Sequence, residues 1–138
     1  MPEPSCEAKA SQAGRICSTV AGMSDINRID CGPRMSEAVV KGNRIYCSGM
    51  IPEDTSLDIT GQVKQALAEI DSLLAKGGSD KSRILTATIW LADIGDFAAM
   101  NAVWDGWVVA GQTPARATVQ ARMNDAKMKV EIMVVAAI

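Results

Sequence analysis

The sequence predicts an α+β fold, one β-sheet with two helices packed on one of its faces. Three observations lead there. Strand-length apolar blocks rich in β-branched residues recur along the chain, and two longer stretches carry the apolar period of a helix. The 138 residues suffice for one domain and are too few for two comfortable ones. Taken in order, the elements read strand, strand, strand, helix, strand, helix, strand, strand.

Residues 26–31 form a short strand ahead of a turn at Gly32-Pro33. Residues 35–41 and 44–50 are two strands, and Gly42-Asn43 between them suits a tight hairpin turn. A polar loop follows at 51–57. Asp58 or Thr60 caps a helix that runs to about Lys76, with Val63, Ala66, Leu67, Ile70 and Leu74 on one face. Gly77-Gly78 ends it, because glycine enters the left-handed region past a helix C-terminus without steric cost. Residues 82–91 read as a central strand. Asp96 is expected to cap a second helix to about Val108, with Phe97, Met100, Trp104, Trp107 and Val108 on one face and the tryptophans against the sheet. Residues 113–122 form a strand with Pro114 at its edge. After a turn at 124–127, residues 129–137 close the fold.

That last strand is almost continuously apolar from Ile132 to Ile138, which implies burial on both faces. Two helices cover one face of such a sheet. With no third helix in the sequence, the other face calls for self-association. Two charges interrupt the last two strands, Arg116 and Glu131. They are either a structural ion pair across neighbouring strands or the two charged ends of a site.

Composition removes several chemistries. The chain contains no histidine, so Ser-His and Cys-His nucleophile pairs and the commonest metal ligand are unavailable. A net charge of -2 argues against broad binding along a phosphate backbone. Cys6, Cys17, Cys31 and Cys47 form no CxxC pair and match no zinc spacing; Cys47 reads as a small buried residue pointing away from Ser48. No apolar run approaches the ~20 residues of a membrane helix. Residues 1–22, rich in Ser, Ala, Glu and Pro, are expected to be a disordered extension to a single domain at 23–138, and a cytoplasmic location is expected. A transit peptide would lack Glu3 and Glu7.

Several segments, in this order and with these gaps, resemble the Rid (YjgF-like) family of enamine/imine deaminases. They are Ser36-Glu37-Ala38-Val39, Tyr46-Cys47-Ser48-Gly49, Asp96-Phe97-Ala98-Ala99-Met100-Asn101, Pro114-Ala115-Arg116-Ala117-Thr118-Val119 and Val130-Glu131-Ile132. The resemblance implies a chorismate-mutase-like mixed sheet and a homotrimer with clefts between subunits. It implies hydrolysis of 2-imino or 2-enamino acids to 2-keto acids and ammonia, with no metal, cofactor, nucleic acid or membrane. The family arginine that grips the substrate carboxylate falls on Arg116, and the glutamate near the reacting carbon on Glu131. Ser48 and Gly49 supply a ligand-facing turn, and Asn101 a cleft asparagine.

The sequence departs from the family pattern at three places. Met35 stands where a pocket-closing tyrosine is usual, Met50 where glutamine follows Ser-Gly, and Thr118 where cysteine is common. A larger, softer and less polar pocket wall is expected. The leading expectation is an imine deaminase in metabolite-damage control. The alternative is a non-catalytic trimeric module that binds small carboxylates or partner proteins. RNA cleavage, also attributed to relatives, is disfavoured by the net charge and the missing histidine.

Overall fold

The computed structural model describes residues 16–18 and 25–138. Seven strands form one sheet: β1 (Ile16–Ser18), β2 (Ile26–Cys31), β3 (Ser36–Lys41), β4 (Arg44–Cys47), β5 (Ile84–Leu91), β6 (Ala115–Gln120) and β7 (Val130–Ala137). Helix α1 (Ile59–Lys76) follows β4, and α2 (Phe97–Trp107) follows β5. The spatial order is β1-β2-β3-β4-β7-β5-β6. Strands β1 to β4 are an antiparallel meander, and the expected hairpin closes with Lys41 opposite Arg44. β5 and β6 pair in parallel across the α2 crossover, as a strand–helix–strand unit must. The sheet is therefore mixed. β1 falls within the segment expected to be a disordered extension, and the rest of residues 1–22 lies outside the described residues.

Asp58, not Thr60, caps α1, its carboxylate accepting from the Gly61 amide at 2.8 Å. Gly78, at φ +78°, takes the left-handed turn that ends the helix. Asp96 stands at the N-cap of α2 as expected, but its side chain makes no capping hydrogen bond. A single 3-10 turn, Ile94–Asp96, leads into α2, and Asp93 caps that turn by accepting from the Gly95 amide at 2.8 Å. The Asp96 amide already bonds the Asp93 carbonyl at 3.0 Å, so the capping bond sits one turn earlier.

Both helices lie on one face of the sheet. Val63, Ala66, Leu67, Ile70 and Leu74 of α1, with Met100 and Trp104 of α2, pack on Ile45, Ile89, Ile132 and Val134. Trp107 instead turns toward α1, where its indole N–H donates to Asp71 at 2.9 Å. On β7 the even-numbered residues Val130, Ile132, Val134 and Ala136 are buried; Met133, between them, is exposed. Period-two alternation puts Tyr46, Met133 and Val119 on the opposite face, exposed by 43%, 36% and 47%. Among the described residues, no element covers that face.

Among the described residues, one polar side chain is fully buried in this core. Gln62 Nε2 donates to the carbonyls of Thr55, Leu57 and Lys127, and its Oε1 accepts from the Lys129 amide at 2.7 Å. It thereby ties α1 to the loop before it and to the loop before β7. Replacing Gln62 with Leu strands these four backbone groups. We expect a loss of about 3 kcal/mol in urea unfolding, well above the cost of an exposed glutamine.

Candidate functional site

The residues singled out in the sequence fall into two groups on opposite faces of the sheet. Arg116 pairs with Ala87 across β5 and β6, and Ala87 is buried beneath the helices. Glu131 pairs with Trp90 across β5 and β7, three residues further along β5. An odd separation along a strand reverses the face. Moreover β6 and β7 are not neighbours, because β5 lies between them. An ion pair between Arg116 and Glu131 within one chain, across adjacent strands, is therefore excluded. The sequence order placed them on consecutive strands; the crossover separated those strands in space.

The first group surrounds the guanidinium. Arg116 stands over two rings of α2, 5.2 Å from the Trp104 centroid and 5.9 Å from Phe97. Residues 97, 101 and 104 follow the i, i+4, i+7 spacing, so Asn101 shares this flank of the helix. Thr118, opposite Ile89, shares the face of Arg116 on β6. Its Oγ1 is buried without a hydrogen-bond partner, an arrangement native proteins rarely leave unmet. Among the described residues, the ion pairs are Lys41–Asp25 and Lys76–Asp30, and neither involves Arg116. A guanidinium near aromatic rings and outside any ion pair can still offer N–H donors to a planar anion.

The second group surrounds an open cavity of about 740 Å³. Met35, Glu37, Gly49, Met50, Met128 and Glu131 are among its lining residues. The Met50 backbone bonds Ile132 in both directions, N to O at 2.7 Å and O to N at 2.9 Å, which brings the Ser48-Gly49 turn beside β7. Glu131 lies directly on Gly49: a Cβ built there would meet Oε1 at 2.0 Å. Glycine thus makes room for the carboxylate. The Ser48 hydroxyl donates to Glu37 Oε2 at 3.1 Å. Met35 and Met50 line this wall, and so do Glu37, Glu53, Glu69 and Glu131. Among the described residues, no three His, Cys, Asp or Glu side chains converge closely enough to hold a metal.

Sequence reasoning missed two features. Glu37 lay within a quoted motif but carried no assigned role. Trp104 packs on the sheet as expected, but the sequence reading did not foresee that it and Phe97, seven residues apart, also meet Arg116.

The fold is that of a small α+β protein with two groups of polar side chains, Arg116 and Thr118 on one face of the sheet and Glu131 on the other. The chain belongs to the family described as Endoribonuclease L-PSP, whose model matches residues 26–138. Relatives within it carry RutC, YjgF and Rid names. The chain is 52% identical over 113 residues to the RutC family protein YoaB of Escherichia coli K12, covering 82% of this chain and 98% of that one. A YjgF family member from Neisseria meningitidis superposes with a TM-score of 0.80 at 48% identity, covering 82% of this chain and 94% of that one. A Rid family protein of unknown function from Yersinia pestis gives 0.72 at 28% identity, covering 78% and 90%. No helix of the described residues is long and apolar enough to cross a membrane.

Cys47 points under the helices, away from Ser48, and burial pushes its thiol pKa up from 9.0 to about 12. A raised thiol pKa favours the folded state below the unfolded value, so this contribution is intact below about pH 9 and is lost as pH climbs towards 12. At pH 8 the native protein should leave Cys47 unmodified by iodoacetamide while half-buried Cys31 reacts. Peptide mass mapping after a native-state pulse, against a urea-unfolded control, reads this out.

Proposed function

We propose that this protein hydrolyses reactive 2-imino and 2-enamino acids to 2-keto acids and ammonia. The observation that carries the reading is the Arg116 guanidinium, 5.2 Å from the Trp104 ring centroid and 5.9 Å from that of Phe97, and in no ion pair with a carboxylate of the described residues. Its N–H edges suit the carboxylate that every such substrate bears. The buried, unpartnered Thr118 hydroxyl beside it is a further donor or acceptor that a ligand or a second subunit would satisfy.

The chemistry follows from the groups present. Water adds to the C=N carbon, and the tetrahedral adduct expels ammonia as its C–N bond breaks and a C=O bond forms. Proton movements stay between water, nitrogen and a carboxylate. Glu131, seated on Gly49 at the cavity wall, orients the water and accepts its proton. Because Arg116 and Glu131 lie on opposite faces of one sheet, a complete site draws each from a different copy of the chain. The bare apolar face carrying Tyr46 and Met133 is where copies would pack. A cyclic homotrimer with three inter-subunit clefts meets both demands, and a cytoplasmic setting suits its metabolite substrates. The ribonuclease activity in the family description is not carried over, since a net charge of -2 and the lack of histidine oppose it.

The test is a semicarbazide-competition assay on enzymatically generated 2-iminopropanoate and a panel of other imino acids. Wild type should accelerate keto-acid release, and Arg116→Ala should lower kcat/KM by about a hundredfold or more. No acceleration with any imino acid would overturn the deaminase reading. Stabilisation by small carboxylates without turnover would instead point to a non-catalytic binding module.

Assembly has its own test. Met133→Asp places a charge on the bare face, and light scattering should show the trimer replaced by monomer. Deaminase activity should be lost with it, while the far-ultraviolet circular dichroism of the monomer keeps its shape.

A further inference from the structure

We propose that Glu37 is a positioning residue that turns the Ser48 hydroxyl into a dedicated hydrogen-bond acceptor for the nitrogen end of the ligand. The inference rests on reading the cavity as one end of an imino-acid site. Two bonds hold Ser48 to the same neighbour: its amide donates to the Glu37 carbonyl at 2.8 Å, and its hydroxyl donates to Glu37 Oε2 at 3.1 Å. A hydroxyl has one proton and two lone pairs. With the proton committed to a carboxylate, lone pairs are all that Ser48 can offer a third group. Glu37 Oε2 is the acceptor of the Ser48 hydroxyl, which gives this pair its direction.

Glu37 lines the cavity together with Gly49 and Glu131, and Ser48 is the residue immediately before Gly49. A ligand there meets acceptors. An imine, iminium or ammonium nitrogen carries N–H donors and is matched; the carbonyl oxygen of a 2-keto acid carries none and is not. The pair therefore favours the nitrogen-bearing substrate over the oxygen-bearing product, which helps product leave. Glu37 acts through the orientation of Ser48 rather than by touching the reacting carbon.

The probes are 2-aminobutanoate, a stable nitrogen-bearing acid, and 2-oxobutanoate, its keto counterpart, titrated calorimetrically into the intact protein. Wild type should bind the amino acid about fivefold or more tightly than the keto acid. Glu37→Ala and Ser48→Ala should each abolish that preference, and the double variant should lose nothing further, because the two residues act as one unit. Glu37→Gln should keep it, since the amide oxygen accepts the same hydroxyl proton; this separates hydrogen-bond direction from charge. The proposal is overturned if wild type shows no preference, if Ser48→Ala retains it, if Glu37→Gln loses it as fully as Glu37→Ala, or if the single losses add. Should Glu37→Ala fail to fold, Ser48→Ala and Glu37→Gln decide alone. Turnover of imino acids is followed in parallel. Amine preference without turnover overturns the deaminase reading and leaves this one standing, and turnover without amine preference does the reverse.

Discussion

β7 is the strand on which this molecule depends. It enters last in sequence and inserts in the middle of the sheet, antiparallel to β4 on one side and to β5 on the other. Without it the β1–β4 meander and the β5–α2–β6 unit would share no backbone hydrogen bonds. Its even residues are sealed under α1 and α2, so its register cannot slip by one without exposing that entire set. The same register turns Glu131 to the opposite face and seats it on Gly49. Sheet integrity and the position of the candidate carboxylate are thus one constraint.

A second constraint concerns how a charge is kept near a core. Burying an arginine against a carboxylate requires desolvating both, and the Coulombic return often only matches that loss. Here the guanidinium rests on aromatic faces of α2 at a half-buried position, an arrangement worth about 0.5–2 kcal/mol that leaves the donor edges free. Glu131, on the other face, is likewise in none of the ion pairs of the described residues. Each half-site is thereby primed for an outside group. The two side chains lie on opposite faces of the sheet, on strands separated by β5.

Much of the local structure was legible in the residues. The α1 period, its stop at Gly77-Gly78 and the Gly42-Asn43 turn are short-range effects, and they form as read. The α2 start at Asp96 was legible, but the capping hydrogen bond comes from Asp93 to a preceding 3-10 turn that no periodicity announces. The helical period puts Phe97 on a sheet-facing stripe. It is instead exposed at the rim, and its partner Arg116 arrives from a strand about twenty residues later, a contact that helical period alone does not contain.

The sequence by itself determined the α+β class, the order of elements from β2 onward, the helix-bearing face and the exclusion of histidine chemistry, because composition and periodicity are properties of neighbouring residues. It also marked Arg116 and Glu131 as anomalies in apolar strands. Only the tertiary structure decided that β5 separates their strands, that strand parity sends them to opposite faces, and that Glu37 holds Ser48. Those outcomes depend on which strands meet across the sheet, and strand pairing is set by long-range packing rather than by any local pattern.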